Sequence, residues 1–194
     1  MKASLKKRMT AYLIDIIIML IILGFISILY KPNNEVLNNS INLLTIKYAD
    51  GDINFIKYLM QSSDLYKQID LNNLIINIIN AVYIIGYFVI LPYFNNGQTF
   101  GKKMMSINVR AISNKKLTLQ NLFIRNLIIN GLLYLLAVII CCLIVPADYY
   151  FITVTILGII QIGLILASMF MVVYRKDKKG LHDLISKTWV ASAK

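Results

Sequence analysis

At 194 residues, 58% of them hydrophobic and with a mean hydropathy of +0.68, the chain is too apolar for an ordinary soluble enzyme. It reads as a single-domain integral membrane protein. Its net charge of +11 could suit a nucleic-acid binder, but the basic residues flank apolar runs and form no recognition module. Nucleic acid is therefore set aside as a partner in favour of anionic lipid headgroups.

The first apolar run, Met9–Tyr30, is long enough to cross a bilayer, which takes about 20 helical residues. Lys2, Lys6, Lys7 and Arg8 precede it, as in the basic start of a signal peptide. The run outlasts a signal h-region, carries Asp15 and is followed by no small-x-small cleavage site, so an uncleaved span is expected. Asp15 is the sole charge within it. A carboxylate there costs about 2.5–3.5 kcal/mol on insertion scales, so it calls for a partner, a watered cavity or a function. Arg8 lies two helical turns earlier on the same face.

Residues 31–70 hold four basic residues against five acids. Residues 44–57 alternate around Asp50-Gly51, which predicts a β-hairpin. A short amphipathic helix over 56–69 would follow.

The second span is expected over 71–94, with Asn73, Asn77 and Asn80 on one face. Segment 95–125 opens with Gly97-Gln98-Thr99-Phe100-Gly101-Lys102-Lys103. It has the wrong glycine spacing for a phosphate-binding loop, and Lys103 stands where Ser or Thr should bind the metal. Residues 106–112 alternate as a strand, Asn114 and Lys115 suit a turn, and Thr118 is placed to cap a helix.

A third span is expected over 126–145, with Asn126 and Asn130 on one face, and a fourth over 151–174, containing Gln161. Pro146-Ala147-Asp148 turns between them. Lys187–Val190 is a second short strand, which could pair with the first. With four spans, the N-tail, segment 95–125 and the C-tail share one side and hold sixteen of the 20 basic residues. The positive-inside rule puts that side in the cytoplasm.

Taken together, these residues resemble the RDD family of bacterial membrane proteins. The resemblance rests on Arg8 opening the first span, Asp15 within it, Gly97-x-Thr99-x-Gly101-Lys102-Lys103 before a strand, and Gly180-x-His182-Asp183 leading to Thr188-x-Val190. It covers residues 5–30, 97–125 and 180–190. The family is named for one arginine and two aspartates, which the resemblance places at Arg8, Asp15 and Asp183. It implies a membrane role for which transport, including sodium–proton exchange by some members, has been proposed.

Three readings of the charged set Arg8, Asp15, Arg125 and Asp183 stay open. It is a static network tying helices to the strands, an ion or proton path from Asp15 past Asn73, Asn77, Asn80, Asn126, Asn130 and Gln161, or an interaction surface for another protein. No second carboxylate lies within the four spans, which weakens the path. Polar residues inside membrane bundles also act as interhelical glue.

His182 is the only histidine, so no histidine-containing metal cluster is expected, and no cofactor. Cys141 and Cys142 read as small apolar residues. Gly163-x-x-x-Ala167 offers a packing stripe. No nucleophile–base constellation appears, so the chain is not expected to be an enzyme.

The expected fold is an all-α membrane protein: a four-helix transmembrane bundle with a short cytoplasmic β-pair and a small extracytoplasmic hairpin-and-helix excursion. The expected role is a non-catalytic accessory or scaffold subunit in the bacterial cytoplasmic membrane, with both termini inside. A membrane protein partner or a homo-oligomer is implied. The alternative is a small Na+/H+-type exchanger using Asp15.

Overall fold

The computed structural model describes residues 2–112 and 116–193; the turn expected at Asn114 and Lys115 lies outside them. Helix α1 (Leu5–Leu29) starts at Ser4, whose hydroxyl accepts from the Lys7 N–H. Only Ala11 and Asp15 are buried along it. Leu13, Ile17, Leu20 and Ile21 are all more than half exposed, an apolar surface suited to lipid rather than water.

The expected hairpin at Asp50-Gly51 is not formed. Residues on either side are helical, as α2 (Glu35–Ala49) and α3 (Phe55–Asn72). Gly51 adopts φ +81° just past the end of α2, a conformation as useful at a helix C-terminus as in a strand turn. The Asn54 side chain accepts from the Lys57 N–H at 2.8 Å and starts α3. The expected helix over 56–69 is thus present and slightly longer. It gains what an isolated hairpin lacks, namely a surface to pack on. That surface is the first third of α9 (Ala147–Tyr174). Ser63 donates to the Ala147 carbonyl and accepts from the Phe151 N–H, and Tyr150 donates to Asp70 at 2.6 Å.

The second apolar run is α4 (Leu74–Ile85), a π-helical turn Gly86–Ile90 and α5 (Leu91–Phe94). Pro92 has no N–H to give the Phe88 carbonyl one turn back. Asn126 supplies one instead, at 2.8 Å.

The third span, expected over 126–145, is broken. Helices α7 (Leu119–Ile129) and α8 (Leu132–Ile144) meet at 82°. Gly131, at φ +69°, makes the break. A break in an apolar setting frees backbone groups that must find partners. Gln161 on α9 donates to the Ile128 carbonyl at 2.7 Å and accepts from the Tyr134 N–H at 3.3 Å. Tyr12 on α1 donates to the Ile129 carbonyl. The polar side chains around the bend therefore replace bonds that a continuous helix would make for itself.

Thr118 caps α7 as expected, in a reciprocal box with Asn121. Helix α6 (Phe100–Met104) leads into β1 (Ile107–Ala111), and α10 (Leu181–Ile185) into β2 (Thr188–Ser192). The strands pair antiparallel, with Val109 opposite Val190. The N-terminal segment joins them, because the Ala3 N–H donates to the Val190 carbonyl at 3.1 Å and Lys2 bridges Ala191. Ala3, Ala11, Ile107 and Val190 form a small core beneath this sheet.

The result is a mostly helical protein with a two-stranded sheet. Three helical runs are long and apolar enough to cross a membrane: Leu5–Leu29, Leu74–Phe94 and Ala147–Tyr174. The bent α7–α8 pair makes a fourth if it counts as one span.

Candidate functional site

The family-pattern residues come together at the strand-bearing end, in two clusters rather than one network. The first surrounds Asp15, which is 1% exposed. Thr99 donates to one carboxylate oxygen at 2.5 Å. Tyr87 and the Gly101 N–H donate to the other, at 2.7 and 2.8 Å. Asp15 forms no ion pair with Arg8 or Arg125, which corrects the same-face expectation. Its partners approach from another part of the chain.

The glycines explain how they reach it. A Cβ on Gly101 would stand 2.2 Å from the Ala11 carbonyl oxygen and 2.9 Å from the Asp15 carboxyl. Only glycine lets α6 sit directly on α1 and bring its own N–H onto the acid. Gly97 adopts φ +80°, and a Cβ there would meet the Val109 carbonyl oxygen at 2.1 Å. Its own carbonyl accepts from the Val109 N–H. The motif is therefore a joint between α1 and β1, not a nucleotide cradle.

The second cluster is built on Asp183, which is fully buried. Arg8 donates to one of its oxygens at 2.7 Å and Arg125 to the other. The Gly180 N–H adds a third donor at 3.1 Å. Arg125 also donates to Thr188 at 3.1 Å, and Arg8 to the Lys178 carbonyl. One carboxylate thus joins α1, α7 and α10, and Arg125 carries the link on to β2. The two guanidiniums and His182 hold its carboxyl well below the usual carboxylate range, against the opposing effect of burial.

His182 lies beside this pair. Ser168 on α9 accepts from the His182 backbone N–H, and its hydroxyl also contacts the ring Nδ1. The other ring nitrogen, Nε2, lies 3.4 Å from the Asp183 carboxylate and has no hydrogen-bond partner among the described residues. Burial, reinforced by Arg125, lowers the His182 pKa to about 3. The imidazole is therefore neutral and structural at pH 7.

The sign of the resulting pH dependence is fixed. Unfolded chains take up a proton at the ordinary value of 6.5, and the folded one only near 3. Stability is fully present above 6.5 and declines as pH falls toward 3. Asp183, also lowered, adds its loss below the ordinary 3.8. The wild-type melting temperature is expected to fall between pH 7 and 4 more steeply than that of His182→Gln. Parallel pH curves for the two proteins would refute this.

The remaining expected residues divide by location. Asn126 donates to Phe88, Asn130 donates to Asn126 at 2.6 Å, and Gln161 braces the bend. Asn73 accepts from Asn34 at 2.9 Å, at the far end of α4. The Asn80 side-chain oxygen is buried with no hydrogen-bond partner among the described residues. Asn73, Asn77 and Asn80 make no bond to Asp15 or Asp183. Lys102 on α6 lines the same cavity as Arg8 and Arg125.

Sequence reasoning missed Tyr87, Tyr12 and Ser168. A tyrosine in the middle of an apolar run was the available signal, since its hydroxyl needs a partner once buried. Among the described residues no group of three or more His, Cys, Asp or Glu side chains could hold a metal.

Over 113 residues the chain is 27% identical to the uncharacterized protein YckC of Bacillus subtilis (strain 168). The match covers 58% of this chain and 59% of that protein. No solved structure matches. The RDD family model matches residues 2–187, which include both carboxylate clusters and the glycine joint. The chain belongs to the RDD family.

Proposed function

We propose that the chain is a multi-pass protein of the bacterial cytoplasmic membrane that serves as a non-catalytic accessory or scaffold subunit. It crosses four times, the bent α7–α8 pair counting as one crossing, with both termini on the inner side. The excess of basic residues at the strand-bearing end supports that orientation. The α2–α3 hairpin then faces outward with Val36, Leu43 and Ile56 exposed, a surface suited to a membrane partner.

The observation that carries the non-transport reading is the engagement of Asp15 by three donors. An exchanger's acid must release its proton or ion to a path. Asp15 is enclosed by three donors, and its carboxylate holds α1 against α6. Asp183 is likewise engaged by two arginines.

Two measurements test the reading. Purified protein in liposomes is expected to move sodium and protons no faster than empty liposomes; flux that Asp15→Asn abolishes would establish the exchanger instead. Capture of the full chain in mild detergent is expected to retain a stoichiometric partner of different sequence. Isolation of the chain alone at every detergent strength would remove the accessory role.

A further inference from the structure

A cavity of about 170 Å³ lies between α1 and α9 at the strand-bearing end. Arg8, Lys102 and Arg125 line it, with the neutral His182 at its edge. Its outer walls are apolar. Met9 on α1 and Met169 and Val173 on α9 line it and are 53%, 56% and 45% exposed, so it opens sideways onto the apolar surface of the helices.

The charges around it do not balance. Three cations meet two carboxylates, Asp183 and Asp15. Asp183 is divided between the two arginines, and Asp15 is enclosed by its own donors. Lys102 makes no hydrogen bond or ion pair among the described residues. Burial, reinforced by Arg125, lowers its pKa to about 8, a cost that a bound anion would offset. The space is below the roughly 300–1,000 Å³ of pockets for drug-sized ligands but accommodates a phosphate with ordered water. Basic pockets between membrane helices suit phospholipid headgroups.

We propose that this cavity binds the headgroup of an anionic phospholipid, with the phosphate against Lys102 and the acyl chains leaving between α1 and α9. The site does not depend on whether the protein has a transport or an accessory role. Its occupant ties α1, which packs chiefly on α6, to the long helix on the other side of the gap.

Full-length protein in neutral detergent, titrated with phosphatidylglycerol and followed by its melting temperature, tests the site. Phosphatidylglycerol is expected to stabilise the wild type more than equal concentrations of phosphatidylcholine or inorganic phosphate. Lys102→Gln should weaken that effect at least about fivefold, while Lys103→Gln, on the exposed neighbour, should leave it unchanged. Without lipid, Lys102→Gln should melt no lower than wild type, because it removes a half-buried cation rather than a bond. If it does melt lower, Lys102→Arg takes its place and must retain the lipid effect. Equal phosphatidylglycerol affinity in wild type and Lys102→Gln overturns the proposal. So does phosphatidylcholine or inorganic phosphate acting as well as phosphatidylglycerol.

Discussion

Asp183→Asn should lower the melting temperature in mild detergent by on the order of 10 °C. The substitution keeps the side-chain shape, removes the charge and turns one of the two acceptor oxygens into an amide donor. Arg8 and Arg125, whose side chains are 11% and 6% exposed, would then face each other without a counter-charge. Removing one partner of a buried ion pair costs about 3–5 kcal/mol, more than deleting the whole pair. The double variant Arg125→Met, Asp183→Leu should therefore melt higher than Asp183→Asn. A double variant that melts lower than Asp183→Asn would refute this ordering. Arg8→Ala should cost less than Arg125→Ala, because Arg8 is the more exposed of the two.

The second large effect is at Asp15. Asp15→Leu leaves the Tyr87 hydroxyl, the Thr99 hydroxyl and the Gly101 N–H facing a hydrocarbon side chain. A buried donor with no acceptor costs about 1–3 kcal/mol. Asp15→Asn should be much milder. Its carbonyl can accept from Gly101 and Tyr87, and its amide can donate to the Thr99 hydroxyl, which rotates to suit. Melting curves of the two variants in the same detergent decide the matter. Equal losses in Asn and Leu would mean that the negative charge, rather than the acceptor geometry, holds α6 to α1. Arg8 and Arg125 should keep their stabilising contribution in both variants, since neither bonds to Asp15.

Much of the fold could be read along the chain because its signals are local. The length and apolarity of α1 and α9, the Thr118 cap and the period-two strands each depend on neighbours in sequence. The failures have different physical causes. Asp50-Gly51 signals a left-handed residue, and that residue can end a helix as well as turn a strand. The 82° bend lies inside a continuous apolar run, so hydropathy alone hides it. Its signals were Gly131 and the spacing of Asn126 and Asn130.

At the site, Asp15 was visible as a costly charge and Asp183 through the resemblance to the family, but the partners of Asp15 were not. Spacing along one helix shows which residues share a face. It does not show which element will arrive opposite them. Gly101 decided that by allowing α6 to approach, and the consequence became visible only once α6 was placed against α1.

The bonds from the Ala3 N–H to Val190 and from Arg8 to Asp183 join nearly opposite ends of the chain. During synthesis α1 can enter the bilayer early. Its basic flank, however, stays without its carboxylate, and the first residues without their strand, until the segment from Asp183 to Val190 has emerged. Assembly at this end is therefore a late, long-range closure, slow by the same logic that makes distant strand pairing slow. The two ends act as a clasp that fastens only after the intervening helices have been made.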